Sequence, residues 1–306
     1  MFAKIKQIEL EQFSILCILG VFGYLDKSFM YFYVFGFLLF VYVYKKYSKY
    51  KFTDNKPRYT PKIIVFFFFY YVSTLLNPII VAQSMLQAVG QLYIVIKNFA
   101  IFPNVNNHKG IEYCLPFVGT WNVAAGGIEI TSSHSWFIVS QRYAYDFYIL
   151  DKDMKSHKDS HKSLDNYYCY NQKIVAPADG TVIKVKNNVN DSKWIKFGLP
   201  DFFTTDFRGN FVVIKHSDNE YSMIAHFKKN SIVVKKGDIV KTGQLIGLCG
   251  NSGLSREPHI HFQIQNSPNF FFSVGLPVKF KNYKIINDRE ASDYIKADDI
   301  VQNLTE

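Results

Sequence analysis

Residues 258–262 read Pro-His-Ile-His-Phe, and they lie in a stretch from Lys173 to Gln265 in which strand-length runs follow one another closely. The runs are Lys173 to Val175, Thr181 to Val185, Asn210 to Lys215, Glu220 to His226, Ser231 to Val234, Leu245 to Leu248 and His259 to Gln265. Val and Ile recur in them, Gly, Asn and Asp break the chain between them, and no window carries the 3.6-residue period of a long amphipathic helix. Ala-Pro-Ala-Asp-Gly at 176–180 and Asn-Ser-Gly at 251–253 supply turns whose Gly and Asn tolerate positive φ. The pattern predicts a compact, mainly antiparallel β domain over 115–285 with its core at 170–268. Residues 150–166, in which ten of seventeen are charged or His, read as a solvated loop, and 286–306 as a C-terminal tail.

Upstream the composition changes. The chain has 306 residues, 48% of them hydrophobic, which excludes a disordered tail protein, and its 29 Phe and 21 Tyr are densest in the first third. Uncharged runs at Phe13 to Leu25, Phe29 to Tyr44 and Ile63 to Ala82 make residues 1–82 a helical membrane region, with candidate helices at 10–25, 29–44 and 63–82. The first run is a poor signal peptide, because Glu9 and Glu11 stand where a basic flank belongs. Residues 83–114 read as a connector, with apolar positions suited to a membrane surface.

The formal charge of +10 is not spread evenly. Residues 45–62 hold seven basic side chains against Asp54, so +6 of the excess sits in one loop between apolar runs. That is the place of cytoplasmic lysines in a membrane protein and not of a nucleic-acid surface, so no nucleic-acid partner is expected. With that loop inside, the third segment runs outward and everything past about residue 83 lies outside the cytoplasm. The parity holds whether the first two runs cross twice or not at all.

The histidines point to chemistry. His259 and His261 flank Ile260, and residues two apart on a strand face one side about 6 to 7 Å apart. His226 ends a separate strand, and Asp146 follows an aromatic run, so imidazoles and a carboxylate are available for one centre. That composition, with an open position, is the one found around catalytic zinc. Pairs of this kind also occur without metal.

The order of the motifs narrows the reading. Ala-Pro-Ala-Asp-Gly-Thr-Val at 176–182, Gly-Asn-Phe-Val-Val-Ile at 209–214, Tyr-Ser-Met-Ile-Ala-His at 221–226, Gly-Asn-Ser-Gly at 250–253 and Pro-His-Ile-His-Phe at 258–262 together resemble the lysostaphin-like zinc metallopeptidases that cut peptidoglycan cross-bridges. Residues 234–247 carry a further matching stretch. Gln-Arg-Tyr-Ala-Tyr-Asp-Phe at 141–147, with Leu-Pro-Phe-Val-Gly-Thr-Trp at 115–121, looks like a variant branch of that family. The resemblance implies a twisted sheet with a groove across it, His261 and Asp146 as zinc ligands, and His226 and His259 as catalytic imidazoles.

One position departs from the family. Where it has a zinc-ligating His four residues before the Asp, this chain has Arg142, which cannot donate a lone pair. His134 is the nearest spare imidazole; it either fills the vacant place or packs on Trp136 or caps a turn. Arg142 is itself a candidate contact for a substrate carboxylate. His216 reads as a structural imidazole, and His157 and His161 as solvated. Cys114 and Cys169 are candidates for pairing in an exported domain.

The expectation is a membrane-embedded zinc metalloendopeptidase whose domain, outside the cytoplasm, hydrolyses peptidoglycan peptides or another Gly- and Ala-rich peptide. The alternative is a degenerate, non-catalytic domain that binds wall peptides or regulates a partner hydrolase.

Overall fold

The computed structural model describes residues 77–98, 102–197, 201, 203–287 and 294–304. The candidate helices 10–25 and 29–44 and the basic loop lie outside them. The chain divides into two compact units, residues 1–100 and 101–306.

In the first unit a helix, α1, runs Pro78–Lys97. Asn77 caps it, its side chain accepting from the backbone N–H of Ile79 and Ile80, and Pro78 occupies the first turn, where no N–H is needed. The helix is long and apolar enough to cross a membrane by length and composition. A helix begins at Pro78 and continues fifteen residues past Ala82, through nearly half of the expected connector, while residues 63–76 of the third candidate helix lie outside the described residues. Asn77-Pro78 is a helix start and not an interruption within one.

In the second unit the strands are β1 (Glu112–Tyr113), β2 (Thr120–Ala125), β3 (Tyr145–Tyr148), β4 (Lys173–Val175), β5 (Gly180–Lys186), β6 (Asn210–Ser217), β7 (Glu220–Phe227), β8 (Ile239–Val240), β9 (Leu245–Leu248), β10 (Ile260–Gln265), β11 (Gly275–Leu276), β12 (Lys279–Phe280), β13 (Tyr283–Ile285) and β14 (Ile300–Asn303). The main sheet has the order β13-β14-β2-β3-β10-β7-β6-β5-β8, with β11 also on β10, and its pairs are antiparallel. The mainly antiparallel β domain expected from the sequence is what forms.

The tail does not. β14 inserts between β13 and β2, and its Val301 is fully buried in the core. Four residues are too short to read as a strand, and only their partners define them.

Period-two alternation sets the faces. Ile260, Phe262 and Ile264 of β10 and Tyr145 and Phe147 of β3 enter one core with Trp121, Val212, Ile214 and Ile224. His261, Gln263 and Gln265 alternate with them, so they face the other side, as does Asp146. Register then places His261 opposite Asp146 on β3 and opposite Ala225 on β7. Met223 and Ala225, on that second face, pack in a smaller cluster with Phe211, Val213 and Phe270.

Cys114, Cys169 and Cys249 are free and buried. The expected pairing of Cys114 with Cys169 does not form: Asn282 lies against the first sulfur, while the second thiol donates to the Pro258 carbonyl.

Candidate metal centre

Asp146 sits at the middle of the sheet, its side chain 16% exposed, and three imidazoles reach it. His261 Nδ1 lies 3.0 Å from Oδ1, His259 Nε2 3.9 Å from Oδ1, and His134 Nε2 3.6 Å from Oδ2. Burial would raise this carboxyl, but the charges of His134, His259 and His261 and the His261 hydrogen bond outweigh it and hold it well below the usual range. For His261 burial works against charge, yet the Asp146 contact wins and the imidazole is raised above its ordinary value. His134, 35% exposed, is lowered, chiefly by its partial burial.

His134 comes from the loop between β2 and β3. Gly126, at φ +137°, turns the chain where a Cβ would strike the Tyr145 ring, and its N–H donates to the Ser132 carbonyl. Ser133 Oγ then donates to the Arg142 carbonyl at 2.8 Å, closing the loop so that the His134 ring meets the His261 ring edge-on at 5.8 Å. Of the alternatives left open for His134, the structure places it beside Asp146 and not on Trp136, which instead packs on Tyr143 and Arg142.

Arg142 lies against the loop that carries His134. Its Nε donates to the Trp136 carbonyl, and the guanidinium lies over the rings of Phe102 and Trp136 at 5.3 and 5.2 Å. Its carbonyl and its side chain both hold the loop that presents His134.

His226 reaches the site through a β-bulge. Asn210 pairs with Phe227 and Phe211 with Ala225, so His226 is the extra residue, at φ +68°. Strict alternation would send its ring into the core beside Ile224; the bulge gives that place to Phe227 and swings the imidazole out. Its Nδ1 is 2.8 Å from the Ser252 carbonyl, which accepts only, so Nδ1 carries the proton and Nε2 the lone pair. Gly209 makes this approach feasible, since a Cβ there would lie 2.3 Å from the Ser252 oxygen. Burial, then the neighbouring His259 and His261, push this imidazole well below its ordinary value.

His259 is anchored the same way. Its Nδ1 donates to the Glu257 carbonyl at 2.8 Å, Ser255 Oγ lies 3.0 Å away, and the Tyr148 ring stacks on it at 5.2 Å. The His226 and His259 rings are 4.6 Å apart. Two imidazoles therefore present basic Nε2 atoms beside Asp146. Sequence reasoning missed these anchors, because Ser252, Ser255 and Glu257 act through loop geometry that no spacing encodes.

One donor atom each from His134, Asp146 and His261 lie within 4.8 Å of one another, and they form the only such cluster among the described residues. Two neutral-capable imidazoles and a carboxylate with no cationic Lys or Arg among them fit a divalent transition metal. His216 is the satisfied structural imidazole expected, bonded to the Asp179 carbonyl and Ser222 Oγ. His157 and His161 lie ring to ring at 5.8 Å in the charged loop.

Fold and site together give a mainly antiparallel β-sheet with a His/Asp/His cluster that could hold a metal ion on one face. Residues 159–271 match the family model described as Peptidase family M23, and the lysostaphin-like resemblance of this part of the chain is thereby shown. The match begins after His134 and Asp146. The peptidoglycan DD-endopeptidase ShyB of Vibrio cholerae is 33% identical over 121 residues, covering 36% of this chain and 27% of ShyB. The murein hydrolase activator NlpD of Salmonella dublin is 31% identical over 104 residues, covering 34% of this chain and 22% of NlpD. The chain thus spans about a quarter of the length of these relatives. Among solved structures, the catalytic domain of the antimicrobial peptidase lysostaphin from Staphylococcus simulans aligns over 56% of this chain and 90% of that one, with 21% identity and a TM-score of 0.27.

Proposed function

We propose that the domain is a zinc metalloendopeptidase that hydrolyses peptide cross-links of peptidoglycan outside the cytoplasm, tethered to the membrane by its N-terminal region. The observation that carries it is the convergence of His134, Asp146 and His261 with the Nε2 atoms of His226 and His259 on the same face. His134, Asp146 and His261 would hold zinc, which supplies a polarised scissile carbonyl and a bound water ionised near neutral pH.

The remaining work falls to the chain's own imidazoles. His226, kept neutral by burial, takes a proton from water at Nε2 while Ser252 steadies its Nδ1–H. His259, held by Glu257 and Tyr148, hydrogen-bonds the developing oxyanion when protonated and returns a proton to the leaving amine. Anchoring both rings by their Nδ1–H groups fixes which nitrogen faces the substrate.

The second reading, a non-catalytic domain regulating a partner hydrolase, is favoured by Arg142 at the usual ligand position and by the similarity to an activator. His134 beside Asp146 weighs against it, because a scaffold has no need to replace a lost ligand. Purified full-length protein in detergent, incubated with peptidoglycan, should release new amino groups, and chelator or His261→Ala should abolish the release. An intact, zinc-loaded chain that releases none would overturn the enzyme reading in favour of the regulator.

A further inference from the structure

A chain of buried amides runs away from the site beneath His261. Gln265 Nε2 donates to the Ser267 carbonyl at 2.7 Å, and Gln263 Nε2 donates to Gln265 Oε1 at 2.8 Å and to the Ser140 carbonyl at 3.1 Å. Gln263 Oε1 then faces His261 Nε2 at 3.0 Å. Gln263 is 1% exposed and Gln265 is fully buried, so water cannot substitute for any link.

The direction of the chain is not free. A backbone carbonyl only accepts, so the Ser267 oxygen forces the amide nitrogen of Gln265 toward it and its oxygen toward Gln263. The Ser140 carbonyl fixes Gln263 the same way from a second side. The one atom Gln263 has left for His261 is an acceptor, and His261 must therefore carry its proton on Nε2. That leaves the Nδ1 lone pair pointing at the Asp146 carboxylate, 3.0 Å away. Two lone-pair donors in that position are compatible only with a cation between them or a proton on Nδ1.

We propose that Gln263, locked by Ser140 and by the Gln265–Ser267 link, is a positioning residue that assigns the His261 proton to Nε2 and so makes Nδ1 the metal donor. This rests on the metal-centre reading above. Second-sphere partners of ligating imidazoles act in this manner, and their loss costs about 10- to 100-fold in metal affinity. The alternation of β10 explains how one strand supplies both parts: residues 261, 263 and 265 share its polar face while Ile260, Phe262 and Ile264 fill the core.

The test uses the full-length chain in detergent, with zinc affinity read by competition against a chromophoric chelator. Gln263→Leu keeps the volume and removes the acceptor; it should weaken zinc about 10- to 100-fold, and Gln265→Leu, which leaves the Ser140 bond in place, should weaken it less. Affinity in Gln263→Leu within about twofold of wild type would overturn the proposal. Because Gln263→Leu leaves a buried N–H unpaired and risks misfolding, wild-type protein labelled with 15N-histidine supplies an independent readout. With 113Cd bound, scalar coupling should connect cadmium to Nδ1 of His261, and coupling to Nε2 would overturn the assignment. In metal-free protein Nε2 should keep its proton, with a second proton on Nδ1 facing Asp146 in place of the metal. That spectrum separates the two ideas: wild type that takes up no metal but keeps the proton on Nε2 sinks the metal centre and leaves the amide lock standing, whereas an unprotonated Nε2 sinks the lock itself.

Discussion

Replacing His134 by Ala probes the centre where sequence and family pattern disagree. The substitution removes one of three donors and leaves Asp146 and His261, whose Oδ1 and Nδ1 stay 3.0 Å apart. Losing an outer partner of a metal ligand costs about 10- to 100-fold, so losing a ligand should cost at least the upper end, about 100-fold or about 2.7 kcal/mol. The fold should not suffer. The imidazole is 35% exposed, the loop is closed by the Ser133–Arg142 bond and by Gly126–Ser132, and neither bond involves the substituted side chain. Stability should therefore change by no more than about 0.5 kcal/mol. The assay pairs chelator competition for zinc with thermal unfolding of the metal-free chain. Weakened zinc with an unchanged unfolding midpoint is the expected result; zinc bound as tightly as in wild type would refute the placement of His134 as the third ligand.

Arg142→Ala should also weaken zinc, by about tenfold, through loss of the clamp between Phe102 and Trp136 that steadies the His134 loop, and restoring the charge with Lys should not recover it, since Lys lacks the planar fork. Zinc affinity should fall as pH drops through the raised value of His261, by about tenfold per unit, because a proton competes for the donor; affinity flat from pH 8 to 6 would contradict this. At His216, burial holds the folded imidazole below its ordinary value, so the unfolded state binds the extra proton first; the stability it contributes is present above about pH 6.5 and lost as pH falls through it. His216→Asn should accordingly flatten the dependence of the unfolding midpoint between pH 7.5 and 5.5, and an unchanged slope would exclude it. At the bulge, His226→Asn should fold nearly normally while hydrolysis is lost, whereas His226→Val should cost a further 1 to 2 kcal/mol or so, because a β-branched residue resists φ +68°; equal unfolding midpoints would remove the strain argument.

Some of this was legible residue by residue. The alternation in Pro-His-Ile-His-Phe, with the strand-length runs before it, predicts a β domain with two imidazoles on one side; β10 begins at Ile260, one residue after His259, and both imidazoles approach Asp146. The start of α1 is not visible in an apolar run until its cap is recognised, and Asn77-Pro78 is that cap. β14 is not legible in 286–306, because a four-residue strand owes its existence to the strands beside it.

Period two along a strand is local, so the chain itself decided that His261, Gln263 and Gln265 share a face and that Ile260, Phe262 and Ile264 oppose them. Which nitrogen of His226 and of His259 is anchored, whether His226 turns outward, and whether His134 comes beside Asp146 were decided by contacts outside the local strand period. Asp146 lies 115 residues before His261, and only the β3–β10 register sets them opposite each other. A carbonyl, a bulge and a clamped loop act through space, and distances of that kind have no period along a sequence.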